Sequence, residues 1–284
     1  MEQPVVVGVD GSAASLRAVD WAADEAAHHG RGLRIVYATL WERYEDLTPV
    51  VGLDRPAPQI LAREVLAAAE RRAAARRPGL PLSQDVLAAA PVEALLSEGR
   101  SAFALVVGCR GRGPLAAAPL GSVALGVAGR AGCPTVVVRG AGPAAQGAWA
   151  RVALGLAGTP QSAAAVDFAF REAAARGCEL SAVHAWRRSG TGGDSVVGDD
   201  APGAAETLVT GVLERATQKH SEVPARSDVV EGSPRRALLA AAESADLLVL
   251  GAHRREDGPG LQLGLVSHPV LQHAACPVAV VPEP

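Results

Sequence analysis

Two glycine clusters around an arginine carry the clearest chemistry in this chain. Gly108-Cys109-Arg110-Gly111 is followed, nine residues later, by Gly121-Ser122-Val123. Glycines let backbone amides approach an anion closely and accept positive φ. A helix opening at Ser122 would aim unpaired N–H groups and the positive end of its dipole at the same point. The Ser122 hydroxyl can add a hydrogen bond, and Arg110 and Arg112 bring positive charge. Such a loop can hold phosphate. A second cluster, Asp10-Gly11-Ser12, follows the apolar run Val5–Val9. Asp10 could meet magnesium beside phosphates, although one carboxylate does not make a metal site.

Other phosphate and catalytic chemistries fit less well. The Walker loop requires Gly-Lys-Ser/Thr, and the single lysine, Lys219, follows Gln218. Gly111-Arg112-Gly113-x-x-Ala116 imitates a dinucleotide fingerprint but lacks the acidic partner that normally follows. No Gly-x-Ser-x-Gly appears, so a hydrolase nucleophile elbow is not expected. The seven histidines show no metal-ligand spacing. Cys109 could be activated beside Arg110, but a small residue lining the loop is the expected role. Cys133 and Cys276 each precede a proline and read as packing residues.

The elements that must position these groups come as a repeat. Val5-Val6-Val7-Gly8-Val9-Asp10-Gly11-Ser12 returns as Val152-Ala153-Leu154-Gly155-Leu156-Ala157-Gly158-Thr159, an offset of 147. Leu33 to Ala38 returns at the same offset. Leu105-Val106-Val107-Gly108 and Cys133-Pro134-Thr135-Val136-Val137-Val138 return at 143. Gly140 to Gly147 is small and interrupted by Pro143, as a linker should be. Domains are therefore expected at residues 1–140 and 150–284.

Each copy alternates apolar runs with helical patterns, which predicts a parallel, doubly wound α/β sheet of five strands. Strands are expected over Val5–Val9, Leu33–Ala38, Leu82–Leu87, Ala104–Gly108 and Thr135–Arg139, with equivalents in the second half. Ser12 can cap a helix that stops at Gly30; Thr159, with Pro160 behind it, and Gly177 mark the equivalent helix. Helices are further expected over Gln59–Arg77, with Ile60, Leu61, Val65 and Leu66 on one side, Val92–Ser101 and Ser122–Ala131. Their counterparts are Ala205–His220, Arg235–Ser244 and Val266–Ala274. Ligands of such sheets bind beyond the carboxyl ends of the strands, where the winding reverses. Both clusters fall there.

Val7-Gly8-Val9-Asp10-Gly11-Ser12, the Gly108-x-x-Gly111-x9-Gly121-Ser122 spacing and the Cys133-Pro134-x-Val136-Val137-Val138 ending resemble the universal stress protein family, in its tandem-domain form. The resemblance implies a Rossmann-like nucleotide-binding fold with strand order 3-2-1-4-5, and the glycine signature marks the ATP-binding branch. It further implies Asp10 beside the nucleotide and the Ala38 backbone at the adenine edge. Gly108, Gly111, Gly121, Ser122 and Val123 would lie around ribose and phosphates, with Gly11, Ser12 and Arg112 adjoining. In the second copy Ala157 replaces Asp10, Arg254 stands for Gly111 and Leu265 for Ser122. An Arg at a close-approach glycine and an apolar branch at the hydroxyl position suggest a degenerate site.

The leading expectation is an ATP-binding, non-catalytic stress or regulatory protein, with or without Mg2+, in which occupancy tunes conformation or partner binding. A slow ATP hydrolase or nucleotidyl-transfer enzyme remains a rival, as does an interaction module holding a structural nucleotide. A formal charge of −3 offers no general attraction to nucleic acid or acidic membranes. Half the residues are apolar (49%), but no run approaches a membrane span. The N-terminal residues lack a secretory pattern, so a cytoplasmic location is expected. The resemblance further implies an intramolecular pseudo-dimer of the two copies and leaves a homodimer of the chain open.

Overall fold

The computed structural model describes residues 2–40, 58–111, 120–139, 150–157, 163–187, 202–253 and 263–283. Thr159, Pro160, Arg112 and Arg254 lie outside them. The chain divides into two units, Met1–Val138 and Arg139–Pro284.

In the first unit the order is β1 (Val5–Gly8), α1 (Ala13–His28), β2 (Leu33–Ala38), α2 (Pro58–Arg76) and β3 (Leu82–Leu87). Then come α3 (Pro91–Glu98), β4 (Ala104–Gly108), α4 (Ser122–Ala128) and β5 (Thr135–Val138). All pairings are parallel and run β3-β2-β1-β4-β5, with Val7 opposite Ile35 on one side and Val106 on the other. The order 3-2-1-4-5 follows. Continuous apolar runs form the central strands because helices cover both faces: Val5, Val7, Ala104, Leu105 and Val106 are fully buried.

Helix α1 shows how short-range chemistry sets boundaries. The Ser12 hydroxyl accepts from the Ser15 amide at 3.1 Å and caps the first turn, a contact worth about 1 kcal/mol. Ala18, Ala22 and Ala26 then recur every fourth residue and are fully buried, letting the helix lie close to the sheet. At the other end Gly30 takes φ +62, its amide bonds Ala27, and Arg31 bonds Ala26. That paired arrangement is the left-handed glycine stop expected from the sequence. In α2 the buried stripe is Ala62, Val65, Leu66, Ala69 and Ala73, whereas Ile60 is half exposed. So many alanines leave the inward face ambiguous in sequence, and the four large residues expected to share it do not.

The second unit repeats the plan: β6 (Arg151–Leu156), α5 (Ala163–Arg176), β7 (Glu179–Trp186), α6 (Pro202–Lys219), β8 (Ala225–Glu231), α7 (Pro234–Ala242), β9 (Leu247–Ala252), α8 (Ser267–His273) and β10 (Val278–Pro282). Its parallel order is β8-β7-β6-β9-β10. Gly177 ends α5 as Gly30 ends α1, with φ +61 and amide bonds from Gly177 to Ala174 and from Cys178 to Ala173. Trp21 and Trp186 are buried, as are the four free cysteines. Among the described residues no helix is long and apolar enough to cross a membrane.

Candidate functional site

In the first unit a cleft of about 440 Å³ opens at the carboxyl ends of β1 and β4. Here β1 has β2 on one side and β4 on the other, so the chain winds away in opposite directions and leaves a gap. Its apolar part is built from Val36, Ala38 and Val107 on the strands, from Val9 directly after β1, and from Pro91 and Leu95 on α3. Gly8 makes room for Leu95: a Cβ there would lie 3.0 Å from both Leu95 methyls.

The polar part is the glycine loop. The Gly121 amide donates to the Cys109 carbonyl at 2.8 Å, so the loop leaves and returns at one point. Gly111 and Gly121 thereby come side by side; a Cβ on Gly121 would stand 3.8 Å from the Gly111 nitrogen. None of Gly108, Gly111 and Gly121 has positive φ, and close approach marks Gly108 and Gly111 but not Gly121, where a Cβ would make only ordinary contacts from 3.5 Å. A Cβ on Gly111 would meet Asp10 Oδ2 at 2.7 Å, and one on Gly108 would lie 2.6 Å from the Ala14 carbonyl carbon. Gly108 thus admits the first turn of α1. Arg110 lines the cleft with its guanidinium-bearing side chain exposed.

Helix α4 starts at Ser122 as expected but ends at Ala128, capped by Gly129. The expected end at Ala131 is three residues too far. Gly121 is its N-cap, extended at φ −76, ψ 155, and offers no side-chain cap. Ser122, Val123 and Ala124 all line the cleft.

Of the residues singled out in sequence, Asp10, Ala38, Gly108, Gly111, Gly121, Ser122 and Val123 converge on one cavity. Gly11 and Ser12 are set back from it. Gly11 takes φ +80 to turn the chain, and the Ser12 amide donates to Asp10 Oδ1 at 2.9 Å. The Ser12 hydroxyl also reaches the Arg110 carbonyl at 3.4 Å, tying the two clusters together. Sequence reasoning did not find Val9, Val36, Pro91, Leu95 or Val107 as wall residues. Their apolar types are indistinguishable from core positions until register is known.

In the second unit, different side chains stand at the counterparts of Gly8 and Gly108. Leu250 stands where Val107 stands, and its Cδ2 would lie 2.7 Å from a Cβ on Gly155. Glu283, only 2% exposed, places its carboxylate at the start of α5. Oε2 accepts from the Ala164 amide at 3.1 Å and Oε1 from Ala165 at 3.0 Å. Oε1 also lies 3.1 Å from a Cβ built on Gly251, the counterpart of Gly108. A protein carboxylate therefore occupies a helix start at the ends of the central strands. Leu265, the sequence counterpart of Ser122, brings no hydroxyl. It is 96% exposed and precedes α8, which begins only at Ser267. Ala157 is exposed and brings no carboxylate.

The sequence profile of the universal stress protein family matches residues 1–139 and again 149–282. Two Mycobacterium tuberculosis universal stress proteins are similar along their length. Rv2005c is 35% identical over 286 residues, covering 97% of this chain and 96% of its own. Rv1996 is 30% identical over 303 residues, covering 99% and 95%. A crystal structure of a universal stress protein from Archaeoglobus fulgidus covers 98% of both chains with a TM-score of 0.73 at 18% identity, a likeness of fold.

Proposed function

The chain belongs to the universal stress protein family, and from that premise we propose that it is an ATP-binding, non-catalytic regulatory protein carrying one nucleotide site, in the first domain. The observation that carries this reading is the pairing, in one cleft, of an apolar slot with a glycine loop that lies so close to Asp10 that a Cβ at Gly111 would stand 2.7 Å from its Oδ2. The slot of Val9, Val36, Ala38 and Leu95 suits a purine ring. The amides of the loop and of the first turn at Ser122 suit phosphates, and Arg110 supplies charge. ATP bound there would bridge β1, β2, α3 and the glycine loop. Occupancy could then fix the position of that loop relative to α3, which is how a bound nucleotide would tune partner affinity. Asp10, beside Gly111, is the residue through which Mg2+ would join the phosphates.

Gly111→Asp tests the assignment. The new carboxylate would stand against both Asp10 and the phosphate path, and ATP affinity measured by calorimetry should fall at least a hundredfold while the circular dichroism spectrum is kept. ATP affinity within threefold of the parent would refute the site.

A further inference from the structure

The two copies differ most informatively between their first two helices. Leu82 and Ala225 hold the same register opposite Leu33 and Leu180, so α2 and α6 correspond at an offset of 143. In the first unit Ala69 and Ala73 are fully buried between α2 and its neighbours. Their counterparts Val212 and Ala216 are only partly buried. Instead they line a cavity of about 460 Å³ between α5 and α6, walled also by Leu156 and Val166. That volume is typical of a small-molecule site.

The charge balance of the same helix pair has shifted. In the first unit Arg72 pairs with Asp20 at 2.5 Å, and Arg76 and Arg77 pair with Asp24 at 2.6 and 2.7 Å. In the second, Asp167 stands for Asp20 but Arg171 stands for Asp24. The cations Arg72, Arg76 and Arg77 become Arg215, Lys219 and His220, all lining the cavity. Asp167 therefore serves Arg171, at 3.1 Å, and also Lys219 and His220. These contacts pull its carboxyl below the ordinary range against the opposing effect of burial, the largest single influence. His220 also faces Glu222 at 3.9 Å. Arg215 makes no ion pair among the described residues. One acid of the pair has become a base, and a helix contact has become a cavity.

We propose that the cavity between α5 and α6 of the second domain binds a small amphipathic anion: an apolar body against Leu156, Val166 and Val212, and one carboxylate or similar group at Arg215, Lys219 and His220. An uncharged analogue would lose the rim contacts, and a cation would meet an excess of like charge. The site is separate from the glycine cleft and does not depend on nucleotide.

Decanoate is a suitable probe, with decan-1-ol and decyltrimethylammonium as neutral and cationic counterparts, titrated calorimetrically into the full chain below micelle formation. Saturable decanoate binding at one per chain is expected, at least tenfold tighter than the alcohol, with no binding of the cation. Arg215→Gln should weaken it about fivefold, the scale of one exposed charge contact. Ala216→Trp should abolish it by filling the cavity, and Val212→Phe provides a second filling variant should Ala216→Trp not fold. Equal binding of all three probes, absence of decanoate binding at millimolar concentration, or binding indifferent to a folded filling variant would each overturn the proposal. So would competitive displacement by ATP.

Discussion

Replacing Glu283 by glutamine should destabilise the second domain far more than a single surface change would. The Glu283 backbone is fixed by its amide bond to the Ala252 carbonyl at 2.9 Å, which extends the ladder beside β9. Its carboxylate has little freedom and accepts from two successive amides at the start of α5, at 3.1 and 3.0 Å, in a nearly water-free position. Glutamine keeps one acceptor oxygen and turns an NH2 group toward the other amide. The lost charge-assisted bond costs about 1.5–3 kcal/mol, and loss of negative charge at the first turn about 0.3–1 kcal/mol more. A total of about 2–4 kcal/mol corresponds to a fall in Tm of roughly 5–15 °C for a domain of this size. Calorimetry of the full chain reads the midpoint, and hydrogen exchange at Ala164 and Ala165 reads the helix start. A midpoint within 1 °C of the parent, with unchanged exchange at both amides, would refute the view that Glu283 is an internal anion.

Other consequences separate scaffold from site. Gly108→Ala places a Cβ 2.6 Å from α1 backbone that cannot swing aside, so urea denaturation should show a loss of at least about 1–3 kcal/mol. Ser12→Ala removes the α1 cap and should cost about 1 kcal/mol in the same assay, with ATP affinity changed by less than the Gly111→Asp effect. Burial pushes the Cys133 thiol up to about 11 and the Cys276 thiol to about 12, from an ordinary 9.0. The folded state thus holds these protons longer than the unfolded state. The associated stability is fully present below pH 9 and is lost as pH rises through 11 and 12, which denaturation midpoints between pH 8 and 11 should track. Flat midpoints across that range would contradict the assignment of both thiols as packing groups.

Much of this architecture could be read from the residues because local and long-range signals agreed. Apolar runs placed the central strands within about one residue, the more polar edge strands β3 and β8 were placed by their position in the alternation and the repeat, and Gly30 and Gly177 marked two helix ends whose left-handed geometry only glycine adopts cheaply. The glycine cluster and Asp10 were legible as a candidate site because their order along the chain places them after strands that must lie side by side. Three features were not read from the residues. The inward stripe of α2 is mostly alanine, so Ile60 misleads. The later start of α8 leaves Leu265 exposed, and the signal that marks it, Pro269 with no N–H to bond the Leu265 carbonyl, was not used. Glu283 follows a strand as any solvent-facing acid might; only the register of β10 against β9 brings it under Gly251 and onto α5.

The proposed division of labour between the copies predicts a stoichiometry. Purified protein, denatured and analysed chromatographically for released small molecules after equilibration with ATP, should yield one ATP per chain, unhydrolysed over hours. Two per chain would contradict the proposal of one nucleotide site, in the first domain, accumulation of ADP would contradict the non-catalytic assignment, and no nucleotide at all would contradict the account at its centre.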